Sequence, residues 1–216
     1  MSIHKTYAVF GLGRYGRAVA KELVASGAEV IAVDINAKKV EELACDVPIC
    51  KCADVTDTDA LSQLGVRNVD VAVVAMAEAL EASVMTVMLL KDMGVGQVIA
   101  KAGCSMHAAI LEKVGADKVI QPETESGVRL AKNILSSGFA DIADLSDSIS
   151  VIELDVKDEW VGKTILELEL RRRYSINIVA VNNHGRVDIA IDPNMKLDRA
   201  MKLIIVADKK DINRLK

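Results

Sequence analysis

Residues 7–16 read Tyr-Ala-Val-Phe-Gly-Leu-Gly-Arg-Tyr-Gly, and no other ten residues constrain the architecture as strongly. Their apolar first part predicts a strand over 7–10, and the apolar periodicity that follows predicts a helix over 14–26. Between them lies the pattern G-x-G-x-x-G, formed by Gly11, Gly13 and Gly16. In this context the first glycine turns tightly, the second lets a pyrophosphate approach the backbone, and the third lets helix and strand pack closely. The unpaired N–H groups of the helix N-terminus favour an anion at the same place.

The same alternation of strand and helix continues along the first part of the chain. Further strands are predicted at 29–33, 48–52, 71–75, 97–101 and 118–121, and further helices at 37–44, 58–64, 79–93, 105–114 and 124–136. The segment 71–75 is almost wholly apolar, as expected of a strand buried on both faces. Strict alternation predicts an α/β fold, a Rossmann-like doubly wound parallel sheet, in a nucleotide-binding domain over 1–137.

The pattern changes in the last third of the chain. Residues 138–147 are interpreted as a short helix and linker. Strands are then predicted at 150–156, 177–182, 187–189 and 202–207, with one helix at about 164–174. This order predicts a small α+β C-terminal lobe over 148–216.

Asp34 ends the second predicted strand, 18 residues after Gly16. A carboxylate at that position accepts hydrogen bonds from the ribose hydroxyls and repels a 2′-phosphate, which disfavours NADP. Taken singly, the loop could be an ordinary glycine-rich turn and Asp34 a solvated strand end. Together, in this order and spacing, they predict an adenine-nucleotide site.

Other candidate ligand contacts lie in the glycine loop or where predicted strands end, because ligands bind at the carboxyl ends of strands in such sheets. They are Arg14, Tyr15, Ile35, Asn36, Asp54, Val55, Thr56, Ala75, Met76, Lys101 and Glu123. Arg14 suits extra phosphate charge, in the same site or across a subunit boundary, or it is a solvated first-turn arginine. Lys101 either neutralises a phosphate or is solvated. Glu123 either complements a helix dipole or holds a divalent cation near the phosphates.

Composition excludes several classes of protein. Of 216 residues, 51% are apolar and 27% charged, which supplies a hydrophobic core and excludes wholesale disorder. With 27 basic against 31 acidic residues and few aromatic ones, no nucleic-acid partner is expected. Cysteines at 45, 50, 52 and 104 form no C-x-x-C pair, so free thiols in a cytoplasmic protein are expected. Neither a signal peptide nor an apolar run long enough for a membrane span is visible, so any membrane role must come through a partner.

Catalytic motifs are missing from the sequence. The histidines His4, His107 and His184 are scattered, and neither a Tyr-x-x-x-Lys pair nor a Walker loop occurs. We therefore expect a ligand-binding regulator and not an enzyme. The alternatives are an NAD-dependent oxidoreductase and a nucleotide-responsive DNA-binding repressor, although no helix-turn-helix module is evident.

Several motifs together resemble one family over essentially the whole chain. They are Val9-Phe-Gly-Leu-Gly-Arg-Tyr-Gly16, Ala32-Val-Asp-Ile-Asn36, Leu64-Gly-Val-Arg67, Lys101-Ala102, Leu111-Glu-Lys-Val-Gly-Ala-Asp117, Pro122-Glu123, Asp158-Glu-Trp-Val-Gly-Lys163, Leu170-Arg171, Asn177-Ile-Val-Ala180 and Leu203-Ile-Ile-Val206. The sequence is thus similar to regulator of potassium conductance (RCK) domains of the TrkA-N and TrkA-C type, above all to the regulatory subunits of Ktr potassium-uptake systems.

The resemblance implies a homodimer that assembles into an octameric gating ring. Such a ring is cytoplasmic, peripheral at the inner face of the cell membrane, and contacts a separate K⁺-translocating subunit of the KtrB or KtrD type. It binds ATP or ADP, with NAD or NADH as further candidates. The resemblance also assigns Arg14 to the terminal phosphate of the nucleotide in the paired subunit, and Glu123 to an activating Mg²⁺ or Ca²⁺ site at the dimer interface.

A second ligand is implied for the C-terminal lobe. In similar subunits cyclic di-AMP binds between two chains. The matching positions here are Ile165 and Leu166 for the adenine, Arg171 for phosphate, and Asn177 with Ile178 beside it. For Ile165 and Leu166, plain core packing is the alternative.

Overall fold

The computed structural model of the chain describes residues 5–135, 139–146 and 148–212. It divides the chain into two compact units. We call Met1–Pro122 the N-terminal unit and Glu123–Lys216 the C-terminal unit. The predicted domain boundary at 137 falls on 136–138, which lie outside the described residues, and it stays a prediction.

The N-terminal unit is built on a six-stranded parallel sheet in the order β3-β2-β1-β4-β5-β6. Its strands are β1 (Thr6–Phe10), β2 (Glu29–Asp34), β3 (Ile49–Cys52), β4 (Val71–Val74), β5 (Gln97–Lys101) and β6 (Lys118–Ile120). Its helices are α1 (Arg14–Ala25), α2 (Ala37–Leu43), α3 (Thr58–Gln63), α4 (Leu80–Asp92) and α5 (Ser105–Lys113). The predicted fold class and the order of these elements are confirmed.

Alternation of side chains along the strands divides the core into two layers. Ala8 and Phe10 pack into one buried cluster with residues of α4 and α5, whereas Val9 packs into a second cluster with residues of α1 and α2. All four residues of β4 are buried, which explains why its sequence is a continuous apolar run. The sheet is therefore covered on both faces, and only its strand ends are open to ligands.

The C-terminal unit contains a five-stranded antiparallel sheet in the order β10-β9-β11-β8-β7. Its elements in chain order are α6 (Pro122–Leu135), which begins at the unit boundary, β7 (Phe139–Asp144), β8 (Ile149–Asp155), α7 (Ile165–Leu168), α8 (Leu170–Tyr174), β9 (Asn177–Asn183), β10 (Arg186–Asp188), β11 (Lys202–Asp208) and α9 (Lys209–Ile212). One face of the sheet carries the core, in which Ile152, Leu203 and Ile205 are fully buried. Trp160 joins this core, with its ring 6.3 Å from that of Tyr174.

The helix predicted within 138–147 is wrong. Residues 139–144 form β7, which pairs antiparallel with β8 from Phe139 opposite Leu154 to Asp144 opposite Ser150. The register shifts between Asp141 and Ala143. Pairing with β8, the next strand along the chain, decides the conformation here, and that pairing overrides the local preference.

The single helix predicted over 164–174 is also wrong, because two short helices take its place. α7 begins with a capping box, in which the Thr164 hydroxyl accepts from the Glu167 N–H and the Glu167 carboxylate accepts from the Thr164 N–H. Glu169 then adopts the left-handed conformation, with φ of 48°, and α8 starts directly after it. This one left-handed residue interrupts the helix predicted over 164–174 near its middle.

Ser175 ends α8 in the same left-handed conformation, with φ of 57°. A serine pays for this conformation with a close approach of its Cβ to the backbone, which glycine avoids. We predict that Ser175→Gly raises the free energy of unfolding by about 1 kcal/mol. Trp160 is the one tryptophan of the chain and lies in the same unit, so its fluorescence during urea unfolding measures the change. Ser175→Ala is the matched control, because it removes the hydroxyl without easing the backbone; an equal gain from this variant would contradict the explanation.

His107 is a buried, neutral histidine in the N-terminal unit. Its side chain is only 2% exposed, and burial lowers the pKa of its imidazole. The Gly103 N–H donates to Nδ1 at 3.4 Å, and Nε2 lies 2.8 Å from the Ser83 hydroxyl, which itself donates to the Leu80 carbonyl. This pattern assigns the proton to Nε2.

We predict that His107 makes the chain less stable in mild acid. Because its pKa is lower in the folded than in the unfolded state, the unfolded chain binds a proton first as the pH falls below about 6.5. The free energy of unfolding therefore decreases from pH 6.5 downward, and His107→Gln removes that part of the slope. Thermal unfolding between pH 5 and 8 measures it, with His184→Gln, at an exposed position, as the control. Identical pH profiles for wild type and His107→Gln would refute the assignment.

Candidate nucleotide site and C-terminal cavity

The glycine loop is held by two close approaches. Gly11 has φ of +93°, and its N–H donates to the Val33 carbonyl at 2.8 Å. A Cβ on Gly11 would stand 2.6 Å from Cγ of Met76, and a Cβ on Gly16 would overlap the Gly11 carbonyl oxygen. The first turn of α1 therefore lies directly on the end of β1, beside the end of β4, and a side chain at either glycine disrupts that packing.

Gly13 differs, because the space beside it is open. It is the N-cap of α1 in an extended conformation, and no described atom lies within 4 Å of the place where its Cβ would be. It supplies no side-chain cap, and the first turn of α1 carries no acidic residue. The open space in front of the N-terminus of α1 thus suits a phosphate group.

Asp34 is the acidic residue of the site and is 7% exposed. Its Oδ2 accepts from the Leu12 N–H at 2.7 Å and lies 3.3 Å from Nζ of Lys39, and its Oδ1 accepts from the Asn36 N–H at 2.9 Å. A carboxylate offers about four acceptor positions. Three are used, so a ribose hydroxyl can bind at the fourth or by displacing Lys39, which is 41% exposed.

Sequence reasoning missed Lys39. It lies five residues after Asp34 in the first turns of α2, and a basic residue at that spacing was the available signal.

The residues predicted beside the adenine fall into two groups. Ile35 is 69% exposed at the end of β2, and Asp54 and Thr56 are open to solvent or partly so. Hydrogen bonds from the Thr56 hydroxyl and backbone N–H lower the pKa of Asp54. Val55, by contrast, packs its side chain into the core, so only its backbone is left to contact a ligand.

Lys101 and Tyr15 come together at the mouth of the loop. Nζ of Lys101, at the end of β5, lies 5.7 Å from the centroid of the Tyr15 ring, within the range of a cation–π contact. Arg14 is exposed at the start of α1 and forms no ion pair within the described part of the chain. Ala75 and Met76 are half-buried beside Gly11. The loop is thus bordered by two basic side chains.

Glu123 belongs to the C-terminal unit, where it lies in the first turn of α6 with Glu125. Its predicted place beside the nucleotide stays a prediction. Among the described residues, no group of three histidine, cysteine or acidic side chains is arranged to hold a metal ion.

The C-terminal unit contains a cavity of about 490 Å³. The five positions predicted for a second ligand all line it: Ile165, Leu166, Arg171, Asn177 and Ile178. Leu166 is 64% exposed, which argues against its being a plain core residue. A cavity of this size, apolar with a few polar groups, is typical of small-molecule sites.

Further lining residues were not predicted. Glu169 and Arg172 lie in and after the break between α7 and α8, and Ile191 and Pro193 come from the loop before β11. The Pro193 carbonyl accepts from the Leu166 N–H at 3.0 Å, which holds this loop against α7. No local pattern reveals a contact between segments so far apart in the chain.

Of the helices in the described ranges, none combines the length and the apolar character that crossing a bilayer requires.

Two family models match the chain, the TrkA-N domain over residues 7–122 and the TrkA-C domain over residues 149–216. The chain therefore belongs to the TrkA-N and TrkA-C family, the RCK-type regulatory proteins of Ktr and Trk potassium uptake. The resemblance inferred from the motifs is confirmed. The family is one of regulatory components, so the expectation of a protein that is not an enzyme is also confirmed.

Named relatives match almost the whole chain. The Ktr system potassium uptake proteins A and C of Bacillus subtilis (strain 168) are each 36% identical, over 98% and 97% of this chain and 95% of each relative. The Ktr system potassium uptake protein A of Vibrio alginolyticus is 32% identical over 98% of this chain and 97% of its own length.

Among solved structures, the GsuK channel matches with a TM-score of 0.71 and 19% identity, over 99% of this chain and 39% of that one. A GsuK channel bound to NAD gives a TM-score of 0.69 and 20% identity, over 97% of this chain and 38% of that one. The chain spans less than half of these solved chains, and at this level of identity the likeness shows the fold.

Gly16 and Gly13 are expected to respond differently to substitution by alanine, which tests the geometry of the loop. Gly16→Ala lowers the free energy of unfolding by roughly 1–3 kcal/mol or more, because its Cβ overlaps backbone that cannot move independently. Gly13→Ala costs less, about 0.5–1 kcal/mol, because its Cβ meets open space and the change only replaces a better N-cap residue by a poorer one. Thermal unfolding by circular dichroism compares the two variants, and equal destabilisation would contradict the described packing.

Proposed function

We propose that this chain is a cytoplasmic, nucleotide-sensing regulatory subunit that gates a K⁺-translocating membrane subunit of the KtrB or KtrD type. The observation that carries the proposal is the glycine loop, whose open N-terminus of α1 faces outward beside the acceptor Asp34. Phosphates bind at the helix N-terminus and the ribose at Asp34. Membership of the potassium-uptake family supports the partner and a peripheral location at the inner face of the membrane.

The ligand is ATP or ADP, with NAD or NADH as further candidates for the same loop. ATP and ADP differ by one phosphate, so the protein must distinguish them where charge is recognised. Arg14 is exposed and without an ion pair among described residues, so it is available for the terminal phosphate of the nucleotide in a paired subunit. In this proposal Glu123 also holds a divalent cation, Mg²⁺ or Ca²⁺, near the phosphates of the nucleotide.

The proposed assembly is a homodimer that builds an octameric ring. An apolar surface supports it: Leu80, Met85 and Met88 on α4 and Met106 on α5 are between 42% and 76% exposed. Several large apolar side chains exposed on neighbouring helices are a feature of protein–protein interfaces. A second copy of the chain is the occupant that the ring requires.

Gating follows from linkage and needs no bond to be made or broken. A ligand shifts a conformational equilibrium only through its different affinities for the two states, and a shift from 1:99 to 99:1 takes roughly 10⁴-fold. In a ring with several nucleotide sites, each site needs to contribute only part of this difference in affinity. In the proposal, ATP with a divalent cation favours the ring shape that opens the transporter, ADP favours the other shape, and cyclic di-AMP in the C-terminal cavity favours inactivation.

We predict that Arg14→Ala weakens ATP binding by roughly tenfold or more, because a charge-assisted hydrogen bond to a phosphate is lost. ADP binding changes less than about threefold, since the terminal phosphate is absent. Calorimetric titration of the full chain, with and without Mg²⁺, measures both affinities, and phosphate release is followed to establish that neither ligand turns over. Arg67→Ala, at an exposed arginine after α3, is the control. Equal losses for ATP and ADP would remove the role of Arg14, and absence of any nucleotide binding would refute the proposed function.

A further inference from the structure

Arg17 connects the glycine loop to helix α2. Its Nε–H donates to the Leu12 carbonyl oxygen at 3.2 Å, and a terminal nitrogen of its guanidinium pairs with the Glu42 carboxylate in the last turn of α2. The hydrogen bond and the charge of Arg17 lower the pKa of Glu42. The two side chains are 31% and 45% exposed, and ion pairs that are this exposed contribute little to stability. The contact with the loop therefore points to a role in the site.

Leu12 is held at its side chain and at its N–H. The side chain is fully buried in the core cluster that contains Leu43, and the N–H donates to the Asp34 carboxylate at 2.7 Å. The peptide that joins Leu12 to Gly13 could still rotate, because glycine accepts backbone conformations that other residues avoid. The hydrogen bond from Arg17 is the contact that fixes the direction of this peptide.

The direction of that peptide decides which group faces a phosphate. The C=O and N–H groups of a trans peptide point in opposite directions. Because the Leu12 carbonyl points at Arg17, the Gly13 N–H points away from it, and no described residue accepts a hydrogen bond from that N–H. The space beside Gly13 is open. A rotated peptide would present the carbonyl oxygen instead, which accepts hydrogen bonds and repels a phosphate.

Resting on the nucleotide site proposed above, we infer that Arg17 is a positioning residue of that site, which holds the Leu12 carbonyl and so directs the Gly13 N–H toward a phosphate of the ligand. Glu42 keeps the guanidinium in place. Arg17 acts through the backbone and differs in this from Arg14, which is proposed to contact a phosphate itself. Its effect is therefore confined to ligands that carry phosphate.

Two uncharged substitutions separate the hydrogen bond from the charge. In Arg17→Gln the amide nitrogen is as many bonds from the backbone as Nε of arginine, so it can still donate to the Leu12 carbonyl. Arg17→Met has a side chain of similar length and no donor. Both variants lose the positive charge and the ion pair with Glu42, so a difference between them measures the hydrogen bond to the loop.

The test compares ADP with adenosine, which has no phosphate. Calorimetric titration of the full chain measures ADP, and ligand-detected NMR measures adenosine, whose affinity is lower. Arg17→Met is expected to bind ADP about tenfold more weakly than Arg17→Gln, because a misdirected peptide loses a charge-assisted hydrogen bond to phosphate. The two variants are expected to bind adenosine equally, because the ribose acceptor Asp34 is unchanged. A merely structural role would weaken both ligands together.

A second ion pair of α1 supplies the matched control. Nζ of Lys21 lies 2.6 Å from the Asp46 carboxylate, one helical turn further from the loop. Lys21→Met removes the same charge and an equivalent ion pair without touching the Leu12 carbonyl. Its ADP affinity is expected to match that of Arg17→Gln, and its thermal unfolding that of Arg17→Met.

Equal ADP affinities for Arg17→Met and Arg17→Gln, or a parallel loss of adenosine binding in Arg17→Met, overturn the inference while the proposed function stands. If the wild-type chain binds none of ADP, ATP and NAD, the nucleotide site itself is refuted, and this inference with it.

Discussion

The close approach of Gly16 to the Gly11 carbonyl is the constraint on which the N-terminal unit depends. It brings the first turn of α1 onto the end of β1, so that the helix N-terminus opens at the edge of the sheet. The Leu12 N–H, in the loop so formed, then reaches the Asp34 carboxylate at 2.7 Å and joins the ends of β1 and β2. One contact between two glycines thus brings together the groups that we propose for phosphate and ribose binding.

The C-terminal unit is built on an antiparallel sheet, and its core is arranged differently. Its antiparallel sheet needs only one covered face, and the short helices α7 and α8 lie in the chain between β8 and β9. The left-handed residues Glu169 and Ser175 end these two helices. The cavity is lined by residues of both helices and by the loop that carries Pro193. Local backbone strain and a ligand-sized space coincide here, which is a common association at functional sites.

The sequence predicts the N-terminal unit nearly element by element, because its signals are local: apolar periodicity, glycines at turns and an acid at a strand end. It fails at β7, where pairing with the neighbouring strand β8 decides between helix and strand. It also fails at Glu169, since a single left-handed residue inside a helical pattern carries no periodic signal. Lys39 and Pro193 were missed for the related reason that their relevance appears only once distant segments meet.

The chemistry of the described residues favours a conformational output. His107 has both ring nitrogens engaged, with Gly103 and Ser83, and is almost fully buried, so it is not positioned to exchange protons with a substrate. His184, the other histidine in the described ranges, is exposed in the C-terminal unit, near Asp198. A site whose ligand undergoes no reaction can use its binding free energy only to favour one protein conformation over another. Selectivity among ligands is then the property that sets the response, and we expect it to rest on exposed charged side chains such as Arg14.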